Sequence, residues 1–135
     1  MTDCSTSLIL GVTGQLGHLV ADRLKGNSTV RLRVTSRRNN QLASLRSEYG
    51  DAVFIDLDDP RTFAPAFEGV LSLFMLTGYS VSMLVQSKAL IDAAKKASVK
   101  HIVHLGVFTL QEDCYDAHFA WHQLVESYIK TRARG

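Results

Sequence analysis

Three evenly spaced glycines, Gly11, Gly14 and Gly17, stand in the stretch GVTGQLG near the start of the sequence. A short apolar run precedes them and apolar residues at helical spacing follow them, so they occupy a turn from a strand into a helix. Such a turn presents backbone N–H groups and the positive end of a helix dipole, and glycine lets a diphosphate approach the backbone. The pattern predicts a dinucleotide-binding turn, and a purely structural turn is the alternative.

The end of the second predicted strand carries Ser36, Arg37 and Arg38. Dinucleotide-binding domains that use NAD have an acidic residue here, which binds a ribose hydroxyl group. Guanidinium groups instead pair with a 2′-phosphate, and a serine hydroxyl can donate a hydrogen bond to it. We therefore expect NADP(H) to be preferred over NAD(H), with Arg37 as the favoured contact. The alternative is a solvated basic turn.

Histidine and cysteine residues suggest a second kind of chemistry, metal binding. Cys114, His118 and His122 follow one another at intervals of four, and two histidines at this spacing on a helix can chelate zinc. No residue is assigned as a fourth ligand, and we predict no metal site. His101 and His104 fall on opposite faces of a predicted strand, so they are not expected to form one site.

Composition places the chain among globular proteins, because its 135 residues are 46% hydrophobic and 21% charged, which suits one domain with a core. The net charge of +2 is too small to indicate a nucleic acid or a membrane surface as partner. The longest apolar stretch is too short to span a membrane, and the polar N-terminal residues lack the basic region of a signal peptide. With only two distant cysteines, a cytoplasmic protein is expected.

Apolar periodicity alternates between strand and helix along the whole chain. Five strands that alternate with helices predict an α/β fold, namely a Rossmann-type doubly wound parallel sheet in the order 3-2-1-4-5 with helices on both faces. The predicted strands are residues 8–10, 30–34, 52–55, 70–75 and 101–105, and the predicted helices are residues 16–24, 42–49, 60–67, 81–97 and 117–132.

Four stretches together resemble the short-chain dehydrogenase/reductase superfamily, in its atypical NmrA-like and quinone-reductase-like branch. They are GVTGQLG, DLDDPRTFAPAFEGV, QSKALIDAAKKASVKHIVHLG and HFAWHQLVESYI, and the likeness covers residues 8–129. The resemblance implies a nucleotide-bound Rossmann domain. By position it assigns Thr13, Gln15 and Leu16 to the diphosphate turn, Asp56 and Leu57 to the adenine, and Leu76, Thr77 and Gly78 to the nicotinamide-side ribose.

The sequence departs from this superfamily at the catalytic positions. Short-chain dehydrogenases generally use a tyrosine with a lysine four residues further on, and a serine after the fifth strand. Here LGV follows that strand, and neither Tyr115 nor Tyr128 has a lysine four residues on. His122 stands at the lysine position of the NmrA-like pattern and is the candidate catalytic residue, as an acid or by holding a substrate carbonyl. A structural helix residue is the alternative.

The resemblance also implies longer chains, in which a C-terminal region closes over the nicotinamide and shapes the substrate pocket. We expect residues 1–135 to form a single NAD(P)-binding Rossmann domain without that region, whether as a fragment, as a short homologue completed by another subunit, or as a chain that only binds cofactor. An exposed fifth strand next to Leu105, Val107 and Phe108 predicts a homo-oligomer.

Two functions follow from this interpretation. The first is the NADP(H)-binding domain of an oxidoreductase that transfers hydride to a small carbonyl or quinone acceptor. The second is a non-catalytic NADP(H)-sensing regulatory protein that signals through partner binding. Neither function requires a nucleic acid or a membrane as a direct partner.

Overall fold

A five-stranded parallel sheet in the order β3-β2-β1-β4-β5 forms the centre of the computed structural model, which describes residues 5–76, 82–105 and 117–133. The predicted fold class and strand order are therefore confirmed. Within the described residues, no helix is long and apolar enough to cross a lipid bilayer. The strands are β1 (Ser5–Ile9), β2 (Val30–Ser36), β3 (Ala52–Phe54), β4 (Val70–Met75) and β5 (His101–His104).

Five helices connect and cover the strands, and each agrees with a predicted helix. They are α1 (Gln15–Leu24), α2 (Leu42–Tyr49), α3 (Phe63–Phe67), α4 (Ser82–Lys96) and α5 (Ala117–Ala133). Short 3₁₀ turns, Asn39–Gln41 and Pro60–Thr62, lead into α2 and α3. Residue 81, the predicted start of α4, lies outside the described part of the chain.

Element boundaries differ most from the prediction at β1 and α3, and those of the other strands and helices shift by at most two residues. β1 begins at Ser5 rather than at the first apolar residue, because the polar Ser5 and Thr6 still pair with β2 through their backbone. The predicted helix from Pro60 is divided into a 3₁₀ turn and α3. The Asp59 carboxylate caps this turn by accepting a hydrogen bond from the Arg61 backbone N–H at 3.2 Å.

Two hydrophobic clusters cover the two faces of the sheet. The side chains of Leu8 and Leu10 belong to one cluster and that of Ile9 to the other, as the alternation along a strand requires. The first cluster contains residues of α3, α4 and α5, and the second contains residues of α1 and α2. This division places α1 and α5 on opposite faces of the sheet.

A polar network around Asp92 fixes α5 beside α4. The Asp92 carboxylate accepts hydrogen bonds from Lys88 at 2.8 Å and from the Tyr128 hydroxyl, and it forms an ion pair with Arg132 at 3.1 Å. The Lys95 ammonium group donates to the backbone carbonyl of Arg132 near the end of α5. These contacts hold α5, the helix that carries His122, against α4.

Candidate functional site

A cleft of about 480 Å³ opens at the carboxyl ends of the strands, where the order of the sheet reverses beside β1. Open α/β sheets bind their ligands at this position. The apolar part of the lining consists of Leu10, Ile55, Leu57 and Leu76. The remaining lining residues are Gly11, Thr13, Thr35, Ser36, Arg37, Arg38 and Gln41.

The glycine turn runs from this cleft into α1, and two of its glycines are required by the fold. Gly11 has a φ angle of +71°, which favours glycine over residues with a side chain. A Cβ atom on Gly17 would lie 2.0 Å from the carbonyl oxygen of Gly11, so no side chain fits there. The third glycine of such a motif usually permits close helix–strand packing, and here the backbone that Gly17 approaches is that of Gly11 and Val12, directly after β1.

Gly14 differs from the other two glycines because the fold does not need it. Its φ angle is −89°, a value that any residue adopts, and the nearest neighbour of an added Cβ would be the Gly11 carbonyl oxygen at 3.4 Å. Gly14 is also the N-cap residue of α1, and no described side chain caps this helix. The glycine therefore leaves open the space in front of the first backbone N–H groups of α1.

The helix start provides a favourable environment for an anion. The exposed residues Gln15 and Leu16 occupy the first turn of α1, which contains no acidic residue. Backbone N–H groups in the first turn of a helix have no partner within the helix, and the helix dipole adds partial positive charge. Of the turn residues predicted from the sequence, Gly11 and Thr13 line the cleft, and the others continue into α1.

The basic turn after β2 supplies the cationic part of the cleft lining. Arg37 and Arg38 are exposed, and both line the cleft. Ser36 is buried, and its hydroxyl group donates to the Gln41 side-chain oxygen at 2.7 Å while accepting a hydrogen bond from the Arg38 backbone N–H at 3.0 Å. In this arrangement the serine proton is directed to Gln41, whereas the sequence interpretation directed it to a phosphate.

The other predicted contacts divide between the cleft and its surroundings. Leu57 and Leu76 line the cleft. Asp56 lies beside it and shapes the local turn, because its carboxylate accepts from the Asp58 backbone N–H at 3.0 Å and its own N–H donates to Thr62. Thr77 and Gly78, which the resemblance assigns to the nicotinamide-side ribose, lie outside the described residues.

His122 lies on α5, outside the cleft lining, and is buried with only 6% of its surface exposed. Its ring faces that of His104, with 5.2 Å between the ring centroids. Burial lowers the pKa of His104, and the neighbouring His122 lowers it further, while Glu126 acts in the opposite direction. His101 is exposed, so the two strand histidines lie apart, as the alternation predicted.

Metal-ligating side chains do not converge on the cleft in the described part of the chain. The predicted Cys–His–His spacing includes Cys114, which lies outside the described residues. The side chains of His18, Asp22 and Glu48 place ligand atoms within 4.8 Å of one another, and all three residues are exposed. The ring nitrogens of His18 already contact the Tyr49 hydroxyl and the Asp22 carboxylate, each at 3.0 Å.

Four lining residues were not predicted from the sequence: Leu10, Thr35, Ile55 and Gln41. Leu10, Thr35 and Ile55 stand at or just beyond the carboxyl ends of strands, and that position could have revealed them. Gln41 has no such signal, because a 3₁₀ turn brings it back to Ser36.

The fold and the cleft together define a Rossmann-type α/β domain with a glycine-rich turn at the point where the strand order reverses. Residues 3–134 match the model of the NmrA-like family, and the chain belongs to that family.

Solved structures similar to this chain include reductases and an epimerase. The triphenylmethane reductase of Citrobacter sp., in complex with NADP(H), is 27% identical with a TM-score of 0.79, and the match covers 95% of this chain and 46% of that one. The NADPH-dependent quinone oxidoreductase of Escherichia coli, complexed with NADPH, is 22% identical with a TM-score of 0.78, covering 94% and 45% of the two chains.

A nucleoside-diphosphate-sugar epimerase from Staphylococcus aureus is 18% identical with a TM-score of 0.81, and the match covers 95% of this chain and 47% of that one. At such low identity the likeness is one of fold. The chain therefore spans a little under half the length of these solved structures.

Proposed function

We propose that this chain binds NADP(H) and serves as the cofactor-binding domain of an oxidoreductase that passes hydride to a small carbonyl or quinone acceptor. Membership of the NmrA-like family and the likeness to a reductase complexed with NADP(H) support this proposal. The observation that carries it is Gly14, a glycine that the fold does not need at the uncapped start of a helix beside the cleft. A diphosphate that approaches the start of this helix requires a residue without a side chain at position 14.

The residues present fit the parts of a dinucleotide. The glycine turn would bind the diphosphate with its backbone N–H groups, and Leu57 with the neighbouring Asp56 would flank the adenine. Leu76 would contact the nicotinamide-side ribose, and we propose the same contact for Thr77 and Gly78, which follow it in the chain. When bound, the cofactor supplies the hydride, while this chain orients it and shields its adenine on the apolar lining of the cleft.

Preference for the phosphorylated cofactor is supported by the charge of the cleft. Its lining includes Arg37 and Arg38 and contains no acidic residue among those described. A carboxylate in this place would repel a 2′-phosphate, whereas guanidinium groups pair with it in a bidentate manner. We therefore propose that NADP(H) binds more tightly than NAD(H).

The proposal is tested by titrating the protein with NADPH and with NADH and following cofactor fluorescence. Arg37→Glu replaces attraction by repulsion at a doubly charged phosphate. Because one charge-assisted hydrogen bond contributes about 1.5–3 kcal/mol, the preference for NADPH should fall about tenfold or more. Arg31→Glu is the matched control, since Arg31 is exposed on β2, the strand that precedes Arg37, and does not line the cleft. Equal loss of both cofactors in Arg37→Glu would contradict the proposed contact.

Turnover is the part of the proposal that needs a separate test, because the sequence lacks the tyrosine–lysine pair of short-chain dehydrogenases. A non-catalytic NADP(H) sensor is the second candidate function, and the burial of His122 outside the cleft lining favours it. Stopped-flow oxidation of NADPH with a panel of quinones separates the two, since a sensor binds NADPH without consuming it. If His122 holds the acceptor, His122→Phe should reduce this oxidation and leave NADPH affinity unchanged.

A further inference from the structure

Three hydrogen bonds close the basic turn between β2 and α2 into a ring. The Arg38 backbone N–H donates to the Ser36 hydroxyl oxygen at 3.0 Å, and that hydroxyl donates to Oε1 of Gln41 at 2.7 Å. The Gln41 backbone N–H then donates to the Arg38 carbonyl oxygen at 3.1 Å. The ring fixes the backbone from which Arg37 and Arg38 extend.

The ring also determines which end of the Gln41 carboxamide Ser36 engages. Its oxygen accepts from Ser36, so its nitrogen, with two N–H donors, is the end that Ser36 does not use. Ser36 is buried, whereas Gln41 is only partly buried and lines the cleft beside both arginines. The carboxamide is therefore a neutral donor held next to two cationic groups.

We propose that Gln41 is a specificity-determining residue, whose carboxamide N–H donates to the 2′-phosphate of NADP(H), and that Ser36 is the positioning residue that orients it. This inference rests on the proposed function. Two guanidinium groups already match the charge of the phosphate, and a neutral donor adds a directed hydrogen bond without adding repulsion between cations. Without the serine hydroxyl, the carboxamide can rotate and turn its oxygen toward the anion, which is unfavourable.

The test measures the affinities of NADPH, NADH, adenosine 2′,5′-bisphosphate and AMP for the parent chain and its variants. Gln41→Leu should weaken NADPH and the bisphosphate about tenfold, because one hydrogen bond to a charged group is lost, while NADH and AMP change little. Gln41→Glu should weaken the same two ligands further. Asn40→Leu is the matched control, because Asn40 is the exposed neighbour in the same 3₁₀ turn.

Ser36 is tested by rescue and by a double-mutant cycle. Ser36→Ala should reduce the preference for NADPH over NADH, and Ser36→Thr, which keeps the hydroxyl group, should restore it. In the Gln41→Leu background, Ser36→Ala should reduce this preference by less than it does in the parent chain, because only the hydrogen bond from the Arg38 N–H to Ser36 then remains to be lost. A purely structural role would weaken all four ligands together.

The outcomes separate this inference from the function on which it rests. If the parent chain binds NADPH and Gln41→Leu keeps its full preference over NADH, the inference is overturned and the proposed function stands. If the parent chain binds neither dinucleotide and neither adenosine nucleotide, both are overturned.

Discussion

Gly14 and Gly17 belong to the same turn, yet the structure places opposite demands on them. A Cβ atom at Gly17 would lie 2.0 Å from the Gly11 carbonyl oxygen, whereas at Gly14 the nearest atom would be 3.4 Å away. Gly14 is therefore free to vary as far as the fold is concerned, whereas Gly17 is not. The motif assigns Gly14 to the diphosphate and Gly17 to close packing, and the geometry shows which of the two positions the fold leaves open to a side chain.

Gly14→Val should therefore abolish NADPH binding while the folded state survives. We expect its free energy of unfolding to fall by about 1 kcal/mol, the effect of a poorer N-cap residue. Gly17→Ala should instead lower the free energy of unfolding by about 2 kcal/mol or more, because backbone must move to make room. Urea unfolding and NADPH titration of both variants provide the comparison. A Gly14→Val variant that binds NADPH as tightly as the parent would refute the proposed diphosphate turn.

The site was predictable from the sequence where one local pattern places a residue. Spacing alone put Gly11 at the turn, and the position at a strand end put Arg37 in the cleft. The partner of Ser36 was not predictable, because a hydroxyl group next to two arginines has several possible acceptors. Its choice of Gln41 depends on a 3₁₀ turn that periodicity does not reveal.

Secondary structure elements were more predictable than their contacts. Periodicity identified every strand and helix that the structure describes, because each buries one face or both. The packing of α5 against α4 was not predictable, since it depends on contacts of Asp92 on α4 with Tyr128 and Arg132 on α5. Contacts between residues so far apart in the chain do not affect the local spacing of apolar residues, so periodicity does not predict them.

The same network makes the attachment of α5 dependent on pH. Burial alone would raise the pKa of Asp92, but hydrogen bonds from Lys88 and Tyr128 and the charges of Lys88 and Arg132 outweigh it, so the pKa is lowered. The folded state therefore favours the ionised carboxylate. Its stabilising contribution is fully present above the ordinary pKa of an aspartate, about 3.9, and is lost as pH falls through the lower folded value.

Asp92→Asn should consequently lower the free energy of unfolding near neutral pH and flatten its decrease in acid. The amide keeps the size of the side chain but removes the charge that binds Lys88 and Arg132. Urea unfolding from about pH 7 to about pH 2.5 measures both effects. Asp58→Asn, at an exposed position, serves as the control. If both variants lose stability in acid as steeply as the parent, Asp92 does not anchor α5 by its charge.

At the scale of the whole molecule, the sheet has two edges, β3 and β5, and the second is the more exposed. Within the residues that the structure describes, no strand pairs with the outer edge of β5. Val103 and Leu105 next to this edge are 55% and 43% exposed, and Leu124 on the nearby α5 is 58% exposed. Unpaired backbone groups beside exposed apolar side chains favour association with another chain.

We therefore propose that this chain forms a two-fold dimer through β5, in which the two edge strands pair antiparallel across the axis. Light scattering at micromolar concentration should give the mass of a dimer. Val103→Lys should shift the equilibrium to monomer, because a charge on an edge strand opposes pairing. Val85→Lys, at a position on α4 that is 74% exposed, should leave the dimer intact. A monomer whose β5 amide protons are strongly protected from exchange would show instead that this chain covers the edge by itself.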